Sequence, residues 1–315
     1  MEPIIRPFTN SDYCTVLKIM KAAVPEIPIS EEQLREHYEN LHSIIRYQRW
    51  TVIFDGNIIA YGLYDQLSQP YTPLEFDIYG AVDPNYQFKG VGSALYDHIM
   101  DALMQFNPLL VRTYALENKS QSIEFLRARG FQEAQQVQRE SLLFLDIASL
   151  DPGSHTEGEG NLHDQGITIK TLKELQVEPN FTYKLYSLYD ELIQQTPSSQ
   201  PLKQKSYSEF VKELSRTDLL LEAYNIALHE GNYIGMNALY TQPEPKQLFN
   251  EFTGVKQDYR GMGIATALKR RGIAYAKAHG YSTIITRNNL RNDRIVQLNK
   301  QLGFLAMIQF VKVFQ

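Results

Sequence analysis

The chain writes one pattern twice. "YQFKGVGSALY" at residues 86–96 returns as "YRGMGIATALK" at 259–269. Val82 falls on Val255, Tyr86 on Tyr259, Gln87 on Arg260, Gly90 on Gly263 and Gly130-Phe131 on Gly303-Phe304. The differences 255 less 82 and 303 less 130 are both 173, so nothing is inserted between the glycine turn and the Gly-Phe pair. Upstream, "DGNIIAYG" (55–62) meets "EGNYIGMN" (230–237) at an offset of 175. A repeat of this length is a duplicated domain rather than one turn of a solenoid. Whatever one half folds into, the other must fold into as well.

Each half has the same coarse order. A short apolar strand opens it ("IIRPF", "ITIKT"), followed by helical segments such as 30–45 and 180–195. A hairpin follows around Asp55-Gly56-Asn57 or Glu230-Gly231-Asn232, where glycine supplies the positive φ of a tight turn. A strand then ends at Val82 or Val255 and leads through the glycine turn into a helix. Next come a short strand ("LLVRTYAL", "STIITRN"), a helix ending in Gly-Phe, and a last strand or two ("QRESLLFLDI", "AMIQFVKVF"). Antiparallel strands followed by a strand–helix–strand unit make an α/β fold. The expectation is two tandem domains, each a mixed, mostly antiparallel central sheet flanked by helices. The boundaries are 1–150 and 167–315, with "DPGSHTEGEGNLHDQG" (151–166) as a linker because it lacks an apolar period. His155 and His163 lie in it among acidic residues, a solvated loop or a metal site; no metal is expected, since mobile loops fix ligand geometry poorly.

Composition bounds the partners. Of 315 residues 43% are hydrophobic and 21% charged, enough apolar material for a packed core. The net charge of −5 and the lack of a long Lys/Arg block argue against nucleic acid. The start lacks a basic region followed by an apolar run, and stretches such as "SLLFLDIASL" are too short to span a bilayer. A cytoplasmic protein without a membrane contact is the expectation. Cys14, the one cysteine, is read as buried and inert in a helix, and Trp50 as core.

The glycine turn carries the chemistry. Apolar residues at Leu95, Ile99, Ala102 and Leu103, and at Ile264, Ala267, Leu268 and Tyr275, form helical stripes just after it. The glycines therefore sit at helix N-termini, where backbone N–H groups lack intrahelical partners and a phosphate can approach closely. A bare flexible helix start is the other reading. A P-loop needs Gly-Lys-Ser/Thr, but Ile264 follows Gly263 and Ser93 follows Gly92. A Rossmann turn needs a third glycine, which both copies lack.

Gln87-x-x-Gly90-x-Gly92 and Arg260-x-x-Gly263-x-Ala265, with the segments that end in Gly-Phe, resemble the signature of the GNAT N-acetyltransferase superfamily. The resemblance covers both halves. It implies acetyl-CoA as co-substrate, its pyrophosphate held by Gln87, Phe88, Lys89, Gly90, Val91 and Gly92 in the first copy. In the second copy the same part falls to Arg260, Gly261, Met262, Gly263, Ile264 and Ala265. It further implies direct attack by a primary amine of a small molecule or peptide, a base to deprotonate it, and a backbone N–H at Val255 or Val82 for the oxyanion. The family's tyrosine acid, four residues before the Gly of Gly-Phe, is replaced by Asn299 and Leu126; Asn299 keeps a hydrogen-bonding group for the CoA arm. By period two and without a bulge, Glu251, Thr253 and Val255 share a face, which makes Glu251 either the base or an exposed carboxylate. Glu75 and Asp77 have the opposite parity to Val82. The second copy is thus the expected catalytic one. The rival is an acyl-CoA-binding sensor or scaffold without turnover. "KRR" (269–271) is read as a solvated helix face or a contact for the 3′-phosphate of CoA, and Tyr61, Tyr64 and Tyr240 as packing or cleft-lining. Acceptor identity and oligomeric state, a homodimer included, stay open.

Overall fold

A computed structural model describes residues 2–26, 30–39, 41, 44–66, 72–134, 140–150, 159–196, 204–243, 246–289 and 292–314. In chain order the first half gives β1 (Ile4–Pro7), α1 (Tyr13–Ala23), α2 (Glu31–Glu39), β2 (Gln48–Phe54), β3 (Asn57–Asp65), β4 (Glu75–Val82), α3 (Val91–Met104), β5 (Leu110–Leu116), α4 (Ser120–Ala128) and β6 (Gln132–Glu133). Then follow β7 (Glu140–Asp146), α5 (Glu159–Asp164), β8 (Ile167–Thr171), α6 (Leu172–Leu175), α7 (Phe181–Gln194), α8 (Tyr207–Glu213), β9 (Asn225–His229) and β10 (Asn232–Thr241). The chain continues with β11 (Gln247–Val255), α9 (Ile264–Ala278), β12 (Thr283–Asn289), α10 (Asp293–Gln301) and β13 (Leu305–Val313). The helix read at 30–45 runs only from Glu31 to Glu39; positions 42 and 43 lie outside the described residues.

Two compact units form. One holds residues 1–137 with 307–315, the other 138–306. In the first, β1, β2, β3 and β4 pair antiparallel in sequence order, β4 pairs parallel with β5, and β5 pairs antiparallel with β13 from Met307 to Val313. In the second, β8, β9, β10 and β11 repeat that ladder, β11 pairs parallel with β12, and β12 pairs antiparallel with β7. The final strand of each sequence half is thus assigned to the other half's unit, which moves both compact boundaries away from 150 and 167. "SLLFLD" and "AMIQFV" are both mostly apolar, so nothing local says which ladder either strand joins.

Local chemistry repeats with the topology. Both hairpin turns hold two consecutive positive φ values, Asp55 (48°) with Gly56 (73°) and Glu230 (49°) with Gly231 (78°), the backbone of a type I′ turn. Ile59 and Ile234, offset by 175, are both unopposed bulge residues in the following strand. The core of the first unit gathers Val52, Phe76, Leu95, Ile99, Leu103, Val111, Phe131 and Phe310, with Trp50 and Tyr64 among them. Tyr61 is fully buried against α1 and α2, and Tyr240 packs in the second unit's core, so these tyrosines are packing residues.

Two further expectations change. Residues 159–164 of the supposed linker form α5, and Leu162 packs beside Ile167, Val255 and Leu268. His163 lies on that helix, while His155 falls outside the described residues. Cys14 is exposed: Tyr13, Val16 and Ile19 take the inward face of α1 and turn their neighbour outward.

Candidate active site

The site is built where two parallel strands part. β11 pairs with β12 only from Gln247 to Asn250, opposite Thr283 to Thr286, while it stays on β10 to Val255. In the first unit β4 pairs with β5 only from Glu75 to Asp77 and stays on β3 to Val82. Both strands therefore end with one edge off the ladder. The amide of Lys256 donates to Ile234 O (2.9 Å) and that of Asp83 to Ile59 O (2.9 Å). Strand alternation then turns the N–H and C=O of Val255 and Val82 away from β10 and β3, toward the open edge. One of those groups has a partner. Arg260 Nε donates to Val255 O (3.0 Å), and Gln87 Nε2 donates to Val82 O (3.0 Å). The first residue of the glycine motif thus satisfies a carbonyl stranded by the parting strands and leaves the N–H of the same valine facing the gap. Arg260 also reaches Gln195 Oε1 at the end of α7 (2.9 Å).

The loop then turns into the helix through left-handed residues. Gly261 (φ 83°) and Gly263 (φ 84°) precede α9; Phe88 (φ 60°) and Gly90 (φ 83°) precede α3. A Cβ on Gly261, Gly263 or Gly90 meets nothing within 4 Å, so open space lies above the turn. The N-caps Gly263 and Gly90, as glycines, offer no side chain to cap their helices, and the first intrahelical bonds are Ala267 N to Gly263 O and Ala94 N to Gly90 O. The amides of the preceding turn, Ile264 and Ala265 or Val91 and Gly92 among them, are free of intrahelical partners. Met262 is partly exposed and Phe88 79% exposed, while Lys89 donates to Asn85 O (2.9 Å). Asn299 is fully buried, and neither of its side-chain polar atoms has a partner among the described residues. A buried amide in that state calls for a water or a ligand atom. Open space and free amides fit a phosphate-bearing ligand.

The phase of β11 differs from a plain period of two. Ala238 faces Phe252 and Leu239 faces Asn250, which leaves Glu251 unopposed. That bulge separates Glu251 from Thr253 and Val255. Val255 packs with Ile264 and Leu268 of α9, and Thr253 bonds Asn250, which Lys269 of α9 also contacts. Phe252 instead packs on Tyr189 of α7, and Glu251 lies 4.0 Å from Lys205, just before α8. A bulge re-aims side chains in this way. The repeat offsets carry its trace. They are 175 for Asp65 and Tyr240, 172 for their partners Asp77 and Phe249, and 173 from Tyr79 and Phe252 onward. Glu251 is the one added residue and has no counterpart in the first copy.

Glu251 sits in a charged cluster. Lys205 pairs with Glu213 and lies 5.3 Å from the Tyr189 ring; Tyr240 OH donates to Glu213 (3.1 Å); Arg216 clamps Asp218. Burial pushes the Glu251 carboxyl above the ordinary range, and the nearby charge of Glu213 adds to this, against Lys205 and Arg216. The result is a carboxylate more basic than usual. In the first unit the β3–β4 register runs unbroken, and Glu75 and Asp77 are taken up by Arg112, at 2.6 and 2.8 Å. Leu126, the counterpart of Asn299, is buried in the apolar core. The "KRR" segment is no solvated face: Lys269 is 3% exposed and Arg271 donates to Ile169 O (2.8 Å).

Parted strands and an uncapped glycine turn are thus present twice, and the second copy alone adds a carboxylate on the parting strand. The sequence profile of the acetyltransferase (GNAT) family matches residues 16–131 and again 185–304. The chain belongs to that family, in tandem form, and acyl transfer is the chemistry of its class. A GCN5-related N-acetyltransferase from Sphaerobacter thermophilus is similar over 99% of this chain and 95% of its own, at 17% identity and a TM-score of 0.50. A tandem GNAT protein from the clavulanic acid biosynthesis pathway is similar over 99% and 98%, at 15% identity and a TM-score of 0.51. At these identities the likeness concerns the fold. No curated protein sequence matches the chain. Among the described residues, no helix is long and apolar enough to cross a membrane, and no group of three His, Cys, Asp or Glu side chains could hold a metal ion.

Proposed function

We propose that the chain transfers an acetyl group from acetyl-CoA to a primary amine of a small molecule or peptide, and that the second unit performs the transfer. The observation that carries this reading is the open edge of β11. Its support is that the Val255 carbonyl is taken by Arg260 on that edge, that the uncapped glycine turn follows, and that the added carboxylate Glu251 stands on the same strand where it leaves β12. In this reading Arg260, Gly261, Met262, Gly263, Ile264 and Ala265 hold the pyrophosphate, and Asn299 contacts the CoA arm. The thioester supplies an activated acyl carbon. Glu251, directly or through a water, takes the proton of the incoming ammonium so that a neutral amine attacks. The Val255 N–H donates to the developing oxyanion. The departing thiolate takes its proton from solvent, because Asn299 offers no acidic hydroxyl.

The first unit keeps the turn, with Gln87, Phe88, Lys89, Gly90, Val91 and Gly92 beside Val82, and lacks the added carboxylate. It serves as a second acyl-CoA site or as a scaffold. A binder without turnover is the second reading of the whole chain, favoured by Leu126 and Asn299 standing where an acid is wanted. Calorimetric titration of acetyl-CoA into the wild type and Gly263→Glu, with thiol release measured over a panel of amines, separates the readings. Transfer requires binding that Gly263→Glu removes from one site, and amine-dependent thiol release. Binding without release supports the sensor, and no binding at high ligand concentration sinks both.

A further inference from the structure

A lysine lies inside the second unit where the first has none. Lys269 on α9 is 3% exposed, and burial pulls its amine down to about 7. It donates to Asn250 Oδ1 and lies 5.2 Å from the ring of Phe304, the phenylalanine of the Gly-Phe landmark. Asn250 is the residue just before the Glu251 bulge. Its Nδ2 donates to Ala238 O (3.0 Å) and to Phe252 O (3.2 Å), and its own carbonyl accepts from Thr286 Oγ1 (3.0 Å). The hydroxyl of Thr253 lies 3.2 Å from Asn250 Oδ1 and donates to Asn237 Oδ1 (2.8 Å). Ala238 pairs with Phe252 on one side of the added residue and Leu239 with Asn250 on the other, so the Asn250 side chain ties the two sides of the register shift together.

We propose that Lys269, acting through Asn250, is the positioning residue that holds the Glu251 bulge and the open edge of β11 in the register that transfer needs. The inference rests on the acetyl-transfer reading of the second unit and deepens it. The duplication supplies the control. Asn237, Asn250, Thr253 and Lys269 correspond to Gly62, Ile78, Gly80 and Tyr96, so the unit without the bulge also lacks every member of the network. Gly272 corresponds to Ile99, and a Cβ there would lie 3.2 Å from Asn237 Nδ2, whereas a Cβ on Gly62 would lie 2.7 Å from Ile99 Cδ1. The helix exchanges an isoleucine for a glycine to admit the asparagine. A mid-helix glycine costs about 1 kcal/mol against alanine, and a buried amine is disfavoured without a partner. Both are retained at the bulge, where an apolar repeat of the first unit's packing was available.

The test compares Lys269→Met, Asn250→Ile and the double variant, the last restoring the apolar character of the first unit. Four quantities are read: Tm, acetyl-CoA affinity by calorimetry, kcat on the best acceptor among spermidine, glucosamine and a peptide with a free N-terminus, and amide exchange at residues 250–255. The single variants lose both stability and about 100-fold in kcat, the scale of a misplacement near 1 Å, with acetyl-CoA affinity held within about twofold. In the double variant Tm recovers, because two matched apolar groups replace a buried polar pair. Its kcat stays low, and exchange at 250–255 runs at least about tenfold faster than in the wild type. Recovery of kcat together with Tm, or exchange equal to the wild type, overturns the proposal. If the wild type neither binds acetyl-CoA nor releases thiol, the transfer reading falls by itself, and amide exchange alone decides whether Lys269 holds the bulge.

Discussion

Phe310 belongs to the second half by sequence and to the first unit by packing. Its side chain is fully buried among Phe131, Val111 and Ile123, and its backbone pairs with Thr113 of β5. Phe310→Ala removes a ring from that core and leaves a cavity, at a cost of about 3–5 kcal/mol. Since about 1.4 kcal/mol is tenfold in an equilibrium constant, the opening equilibrium of the first unit rises by two to nearly four orders of magnitude. Hydrogen exchange resolved by residue reads this directly. Protection falls across β3, α3 and β5, between residues 57 and 116, and holds at β10, α9 and β12, between residues 232 and 289. The outcome that refutes the exchanged-strand assignment is the reverse, with protection lost in α9 and β12 while α3 and β5 keep theirs.

Glu251→Gln lowers kcat about 100-fold or more, the range for loss of a general base, and leaves acetyl-CoA affinity unchanged by calorimetry. Because the carboxyl is shifted upward, the base form is lost as pH falls through a value above the ordinary carboxylate range. The acid limb of kcat/KM against pH lies there, and a limb at or below the ordinary range removes Glu251 from the mechanism. Gly263→Ala meets no atom within 4 Å, so its cost is the left-handed backbone alone, about 1–2 kcal/mol by thermal unfolding. The hydrogen bond from Arg6 holds the Asp12 carboxyl below its usual range, with Thr9 helping. Asp12→Asn therefore costs about 1–2 kcal/mol near neutral pH. The gap to the wild type closes as pH falls through the folded value of Asp12, which urea unfolding at several pH values checks. Cys14 reacts with a thiol reagent in the native protein at one equivalent per chain.

Sequence periodicity exposes what depends on local pattern. The duplication, the succession of elements along the chain, the tight glycine hairpins and the glycine-started helices are all legible, because each is written in a short stretch and written twice. The Glu251 bulge is not, since a period of two carries no sign of one unopposed residue. Its only trace is the step in repeat offset from 172 to 173, which appears once the strand partners are known. Lys269 reads as surface because a charged residue on an amphipathic helix usually is. Its burial depends on space opened by Gly272 and on an acceptor, Asn250, nineteen positions away in sequence. The exchanged strands escape for a different reason: β7 and β13 are both mostly apolar, and partner choice between like strands is settled by the whole sheet.

That exchange bears on how the molecule comes into being. The first unit includes residues 307–315, so its sheet lacks β13 until residues 307–313 have been synthesised. The amino-terminal half must wait through the making of the whole second half, with β5 unpaired on one edge. A half-length chain that kept this pairing would take the strand beside β5 from a second copy. Fusion puts that trade inside one polypeptide, where the partner strand is always present at the concentration set by the tether rather than by the cell.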